Sequence, residues 1–83
     1  MARVTLFTAE GCHLCERARA TVQAVRAEVG FELDEVDITG DPALEARYRE
    51  LLPVVELDGR RLFAYHVPAA ALRLALTAQA GGS

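Results

Sequence analysis

The chain has 83 residues, 52% of them hydrophobic and 25% charged, with a formal net charge of -3. That length allows one domain, which buries only about 60 to 65% of the surface its unfolded chain exposes, and no segment approaches the roughly 18 to 20 uncharged apolar residues of a membrane span. All nine basic residues are arginine, scattered among twelve acids rather than gathered into a stripe, so neither a membrane nor a nucleic acid is expected as a partner.

The first residues carry one basic side chain and a short apolar run, without the longer apolar stretch and small-residue cleavage site of a secretory signal. A cytoplasmic location is therefore expected. Val4, Leu6 and Phe7, flanked by threonines and ended by Ala9-Glu10-Gly11, predict a short buried strand. From His13 to about Val29, the positions Leu14, Ala18, Val22, Val25 and Val29 recur at helical spacing, with Glu16, Arg19, Gln23 and Arg26 opposite. Gly30 is the expected C-terminal stop. Phe31 to Ile38 begins with strand-like alternation, loses it at the adjacent acids and regains it at Val36 and Ile38. Asp41 before Pro42 has the form of a helix cap and first helical residue, placing Leu44, Tyr48 and Leu51 on one face.

Pro53 lacks an amide donor and disfavours helical geometry at Leu52, so a strand should follow. Val54 to Leu57 and Arg60 to Ala64 flank Asp58-Gly59, a pair suited to a two-residue hairpin turn. Pro68 can begin a last helix with Leu72, Ala75, Leu76 and Ala80 on its apolar face. The expected organisation is one domain over residues 1–80 and a flexible tail over 81–83. The order β-α-β-α-β-β-α suits an α/β fold with a four-stranded mixed sheet packed by helices.

The chain's two cysteines, Cys12 and Cys15, enclose His13-Leu14 at the start of the first long helix. Residues three apart share a helix face, so the sulfurs can meet, and a sulfur at the helix start feels the positive end of the dipole. The thiolate is the species that attacks a disulfide, so this placement favours the reactive form. In a reducing compartment such a pair reads as catalytic, redox-sensing or metal-binding rather than structural. Cys12, first and more exposed, is the candidate nucleophile; Cys15, one turn inside, is the candidate resolving cysteine.

A first strand leading to Cys-X-X-Cys at a helix start, then a proline opening the third strand, resembles the thioredoxin fold in its minimal glutaredoxin form. Gly11-Cys12-His13-Leu14-Cys15-Glu16, Glu35-Val36-Asp37-Ile38, Leu52-Pro53-Val54-Val55 and Leu57-Asp58-Gly59 are similar to the small bacterial glutaredoxin-like proteins. The resemblance spans nearly the whole chain. It implies a dithiol thiol–disulfide oxidoreductase that reduces protein or small-molecule disulfides and is re-reduced by glutathione or a thioredoxin reductase-type enzyme. It also implies a cis peptide bond before Pro53, with the backbone of Leu52 available to a bound peptide or glutathione. His13 is counted with Leu52 and Pro53 as a candidate substrate-binding residue; beside Cys12 it either tunes the pair, since an imidazolium there would favour the thiolate, or is a solvated polar residue. A monomer without bound metal or cofactor is expected.

Some residues depart from the glutaredoxin pattern. Ala9 and Glu10 stand where many glutaredoxins carry a lysine before the first cysteine, and Glu10 disfavours a second anion nearby, an effect that Arg17 and Arg19 can offset. After the hairpin, Phe63-Ala64-Tyr65-His66-Val67-Pro68 replaces a Gly-Gly and acidic pattern that grips glutathione. Tyr65 and His66 either line a different substrate groove or pack ordinarily, and Tyr48 and Phe31 read as core. A competing class is metal or iron–sulfur binding, with the cysteine pair supplying half a site and a dimer or an external thiol the rest. A third is a thioredoxin-fold module whose cysteines sense oxidation without turnover.

Overall fold

A computed structural model describes residues 2–81, with side chains described for residues 2–78. Its elements are β1 (Arg3–Thr8), α1 (His13–Glu28), β2 (Glu32–Asp37), α2 (Pro42–Tyr48) followed by a 3-10 turn (Arg49–Leu51), β3 (Val54–Leu57), β4 (Arg60–Ala64) and α3 (Ala69–Gly81). The sheet order is β2-β1-β3-β4. β1 runs parallel to β2, which requires the α1 crossover, and antiparallel to β3; β3 and β4 are antiparallel neighbours across a tight turn. This is the four-stranded mixed sheet with three helices that the element order implied.

Local chemistry accounts for several boundaries. Asp58 and Gly59 both adopt positive φ, 50° and 85°, as a two-residue hairpin of the type favoured by strand twist demands. Asp41 caps α2 by accepting hydrogen bonds from the amides of Ala43 at 3.1 Å and Leu44 at 3.2 Å, with Pro42 in the first turn where no amide is needed. At the end of α1, Val29 turns extended at φ -123° and donates its N–H to Val25 O. The helix stops there, without the left-handed glycine expected of Gly30. At the other end of the chain, Gly81 belongs to α3, where a tail was expected to begin. Gly82, Ser83 and the Ala80 side chain lie outside the described residues.

The sheet buries side chains on both faces. On one, Val4, Leu6, Val55 and Leu57 pack with Ala18, Val22 and Val25 of α1 and Leu72 and Leu76 of α3. On the other, Phe7 and Val54 pack with Cys15, Ile38, Tyr48 and Leu52. The edge strand β2 sends Leu33 to the first cluster and Val36 to the second, which is why its apolar alternation breaks at Asp34-Glu35. Phe31 and Tyr48 are core, and the Tyr48 ring stacks on Phe7 with centroids 4.1 Å apart.

The apolar stripe of α1 differs from the expected one. Cys15, Ala18, Val22 and Val25 are buried, whereas Leu14 is 52% exposed. At 100° per residue, Leu14 falls about 60° from the middle of this stripe. It sits in the first turn, beyond the end of β1, where Cys15 takes the inward position.

Candidate functional site

The site is built where β1 hands over to α1. Gly11 adopts φ +73°, a conformation that glycine enters at little cost, and turns the chain into the helix. The turn is tied to the loop after β2: Ile38 N–H donates to Thr8 O at 2.9 Å and Glu10 N–H donates to Thr39 Oγ1 at 3.0 Å. Cys12 is the N-cap of α1, and its Sγ accepts a hydrogen bond from the amide of Cys15 at 3.1 Å. One of the four amides left unpartnered at a helix start is thereby satisfied by the sulfur.

Cys12 and Cys15 form a disulfide, with Cα atoms 5.2 Å apart. Their surroundings differ: Cys12 is half-buried, while Cys15 is 2% exposed and belongs to the cluster of Phe7, Ile38, Tyr48, Leu52 and Val54. The Leu52–Pro53 peptide bond is cis. Leu52 packs in the same cluster as Cys15, Cys12 packs against that cluster, and Pro53 is fully buried. His13 stands apart, with its side chain 95% exposed and its Nδ1 3.6 Å from Glu16 Oε2.

A cleft of about 180 Å³ opens beside the cysteines on the β2 side, lined by Glu10, Cys12, Cys15, Glu16, Arg19 and Asp37 among others. Asp37 is a site residue that the sequence reading missed. Its carboxylate accepts from the Thr39 amide at 2.8 Å, and that bond, then the Thr39 hydroxyl and the charge of Arg19, hold its carboxyl below the usual range. An aspartate followed two residues later by threonine is an Asx-turn pattern, and that was the available signal. The two arginines expected to offset Glu10 part company: Arg19 Nε donates to Glu35 Oε1 across α1 and β2, and Arg17 points to the opposite side of the helix.

On that opposite side lies a groove of about 370 Å³, lined by Leu14, Arg17, Thr21, Tyr65, His66 and Val67 among others. Tyr65 and His66 both line this groove with exposed side chains. Tyr65 has a positive φ of 72°, and its N–H is shared between Leu51 O and Pro53 O at 3.0 Å each. Among the described residues no group of three or more His, Cys, Asp or Glu gathers to hold a metal ion, so a site using the cysteine pair needs further ligands from outside these residues. No described helix is long and apolar enough to cross a membrane.

Comparison with known proteins places this geometry. A family model described as a glutaredoxin-like domain (DUF836) matches residues 3–77. An uncharacterized protein of Mycobacterium tuberculosis is 34% identical over 86 residues, covering 98% of this chain and 89% of that protein. The X-ray structure of a structural-genomics target protein from X. campestris is 33% identical with a TM-score of 0.77, covering 90% of this chain and 96% of the other. A chloroplastic thioredoxin z, 18% identical, shares the fold at a TM-score of 0.76 over 100% of this chain and 80% of its own. The fold is thioredoxin-like, and with the Cys12–Cys15 pair it supports a redox-type function. The family model matching residues 3–77 and the relative 34% identical over 98% of the chain mean that the chain belongs to the glutaredoxin-like domain family (DUF836).

Proposed function

We propose that the protein is a dithiol thiol–disulfide oxidoreductase with Cys12 as nucleophile and Cys15 as resolving cysteine. The observation that supports it best is the asymmetry of the pair, one sulfur at the helix cap facing the Cys15 amide and the other buried one turn inside. In the reduced protein that amide and the positive end of α1 stabilise a thiolate on Cys12. The thiolate attacks a substrate disulfide R–S–S–R′, forming a Cys12–S–S–R bond and releasing R′S⁻, which takes a proton from water. Cys15 then loses its proton and attacks Cys12 Sγ, closing the Cys12–Cys15 bond and releasing RS⁻. Two electrons pass from the pair to the substrate, and two molecules of glutathione, or one dithiol of a thioredoxin reductase-type enzyme, restore the reduced state and are themselves oxidised to a disulfide.

In this reading the backbone of Leu52, beside the buried Pro53, pairs with the substrate, and His13 contacts it from the exposed turn. A reducing compartment such as the cytoplasm keeps the pair in its active form. The substrate is a disulfide in a protein or a small molecule. The test is reduction of hydroxyethyl disulfide and of insulin with each donor supplied in turn. Wild type should turn over, Cys12→Ser should not, and Cys15→Ser should accumulate a mixed disulfide on Cys12 visible by mass spectrometry. A single round of oxidation without turnover under every donor would replace the enzyme by a redox sensor.

A further inference from the structure

We propose that the groove between α1 and the β4–α3 loop selects the polypeptide segment next to the substrate's disulfide cysteine, taking an apolar side chain beside an acidic one. This inference rests on the dithiol reading and specifies its substrate class. Three large hydrophobic side chains are exposed among the described residues, Leu14, Tyr65 and Leu74, and two of them line this one groove. Leu14 lies between the two cysteines in sequence. Tyr65 is held at positive φ by bonds from its N–H to the carbonyls of Leu51 and Pro53, so its backbone is tied to the segment that carries Leu52. Strain kept in place by such bonds on an exposed side chain concentrates at functional sites.

Charge supplies the second requirement. Among the described residues Arg3, Arg19, Arg49 and Arg73 are ion-paired; of the arginines that are not, Arg17 is the one that lines this groove. His66 adds a ring N–H donor in either protonation state. The cleft on the other side of the cysteines carries Glu10, Glu16 and Asp37 against a single arginine, Arg19, which is already paired with Glu35, so its net negative charge repels an acidic segment and leaves the Arg17 side as its path. From Cys12 to Arg17 the helix advances about 7.5 Å, and an extended peptide advances about 3.3 Å per residue, so the guanidinium meets a side chain two or three residues from the substrate cysteine. Glutathione has carboxylates but no apolar side chain to cover Leu14 and Tyr65. A polypeptide has both.

The test uses peptides of equal length, each linked through its cysteine to a chromogenic thiol. Leu and Glu, Leu and Lys, or two Gly stand at the second and third positions on either side. Wild type should prefer the Leu/Glu peptide over the Leu/Lys peptide by about fivefold in kcat/KM, a preference that fades in high salt. Arg17→Glu should invert that ratio, and Arg60→Glu, the same charge change on the β4 edge, should leave it intact. In parallel, the Leu/Glu peptide with serine for cysteine is titrated into the isotope-labelled protein, and the amides of Leu14, Arg17, Tyr65 and His66 should shift. Turnover with a ratio near unity and unmoved groove amides overturns the groove and spares the dithiol reading. Shifts in these amides without turnover of any disulfide overturn the dithiol reading and spare the groove. Shifts that follow protein concentration without peptide show a second copy in the groove and overturn the proposal.

Discussion

Cys12→Ser and Cys12→Ala both remove the nucleophile, but they differ in whether anything still caps α1. The Cys12 sulfur accepts the Cys15 amide, and the Cys12 carbonyl accepts from Glu16 N–H at 3.2 Å. A serine hydroxyl preserves the first contact and is a stronger cap; alanine leaves the amide to water. The difference between a polar N-cap and alanine is about 1 kcal/mol. For a chain of 83 residues, an unfolding entropy of about 2.1 cal/mol/K per residue converts this to a separation of about 6 °C in Tm. Neither variant can form the disulfide, so the comparison is free of its contribution. Thermal unfolding followed by circular dichroism at neutral pH reads the difference directly, with Cys12→Ser melting higher. Coincident midpoints would mean that the residue-12 side chain does not hold the helix start, and the geometry invoked to favour the thiolate would lose its basis.

Val22 is fully buried between α1 and the sheet, so Val22→Ala should cost about 2 kcal/mol from two lost carbons and the space they leave, whereas Leu14→Ala, at an exposed position, should stay within about 0.5 kcal/mol; urea unfolding separates the two. Tyr48 donates its hydroxyl to Glu56 Oε2 at 3.0 Å, so Tyr48→Phe should lose about 1 kcal/mol while keeping the stack on Phe7. Burial, then the bond to Glu56, raises the Tyr48 phenol above its ordinary value. Its contribution is complete below pH about 10 and falls as pH rises further, and the Phe variant should lack this alkaline loss in a Tm-against-pH series. Asp37 is the opposite case, because Thr39 and Arg19 depress its carboxyl. Its contribution is complete above pH about 4 and is lost as pH falls through the lower folded value. Asp37→Asn should therefore flatten the acid limb of the same series, and an unchanged limb would count against the Asp37–Thr39 contact.

The features legible in the sequence are those decided by residues within about one helical turn of each other. The Asp41-Pro42 cap, the Asp58-Gly59 turn, the strand opening after Pro53 and the placement of Cys12 and Cys15 at a helix start all depend on local backbone preference. Helical periodicity also identified Ala18, Val22 and Val25 as inward-facing. It could not show that the first turn overhangs β1, which exposes Leu14 and buries Cys15. Neither could it assign Arg19 to Glu35 and Arg17 to the groove, nor bring Thr39 beneath Glu10 and Tyr65 to the carbonyls of Leu51 and Pro53. Periodicity relates the directions of side chains on one element. What each direction meets depends on the strand or loop that packs across from it, and only the assembled sheet and its connections decide that.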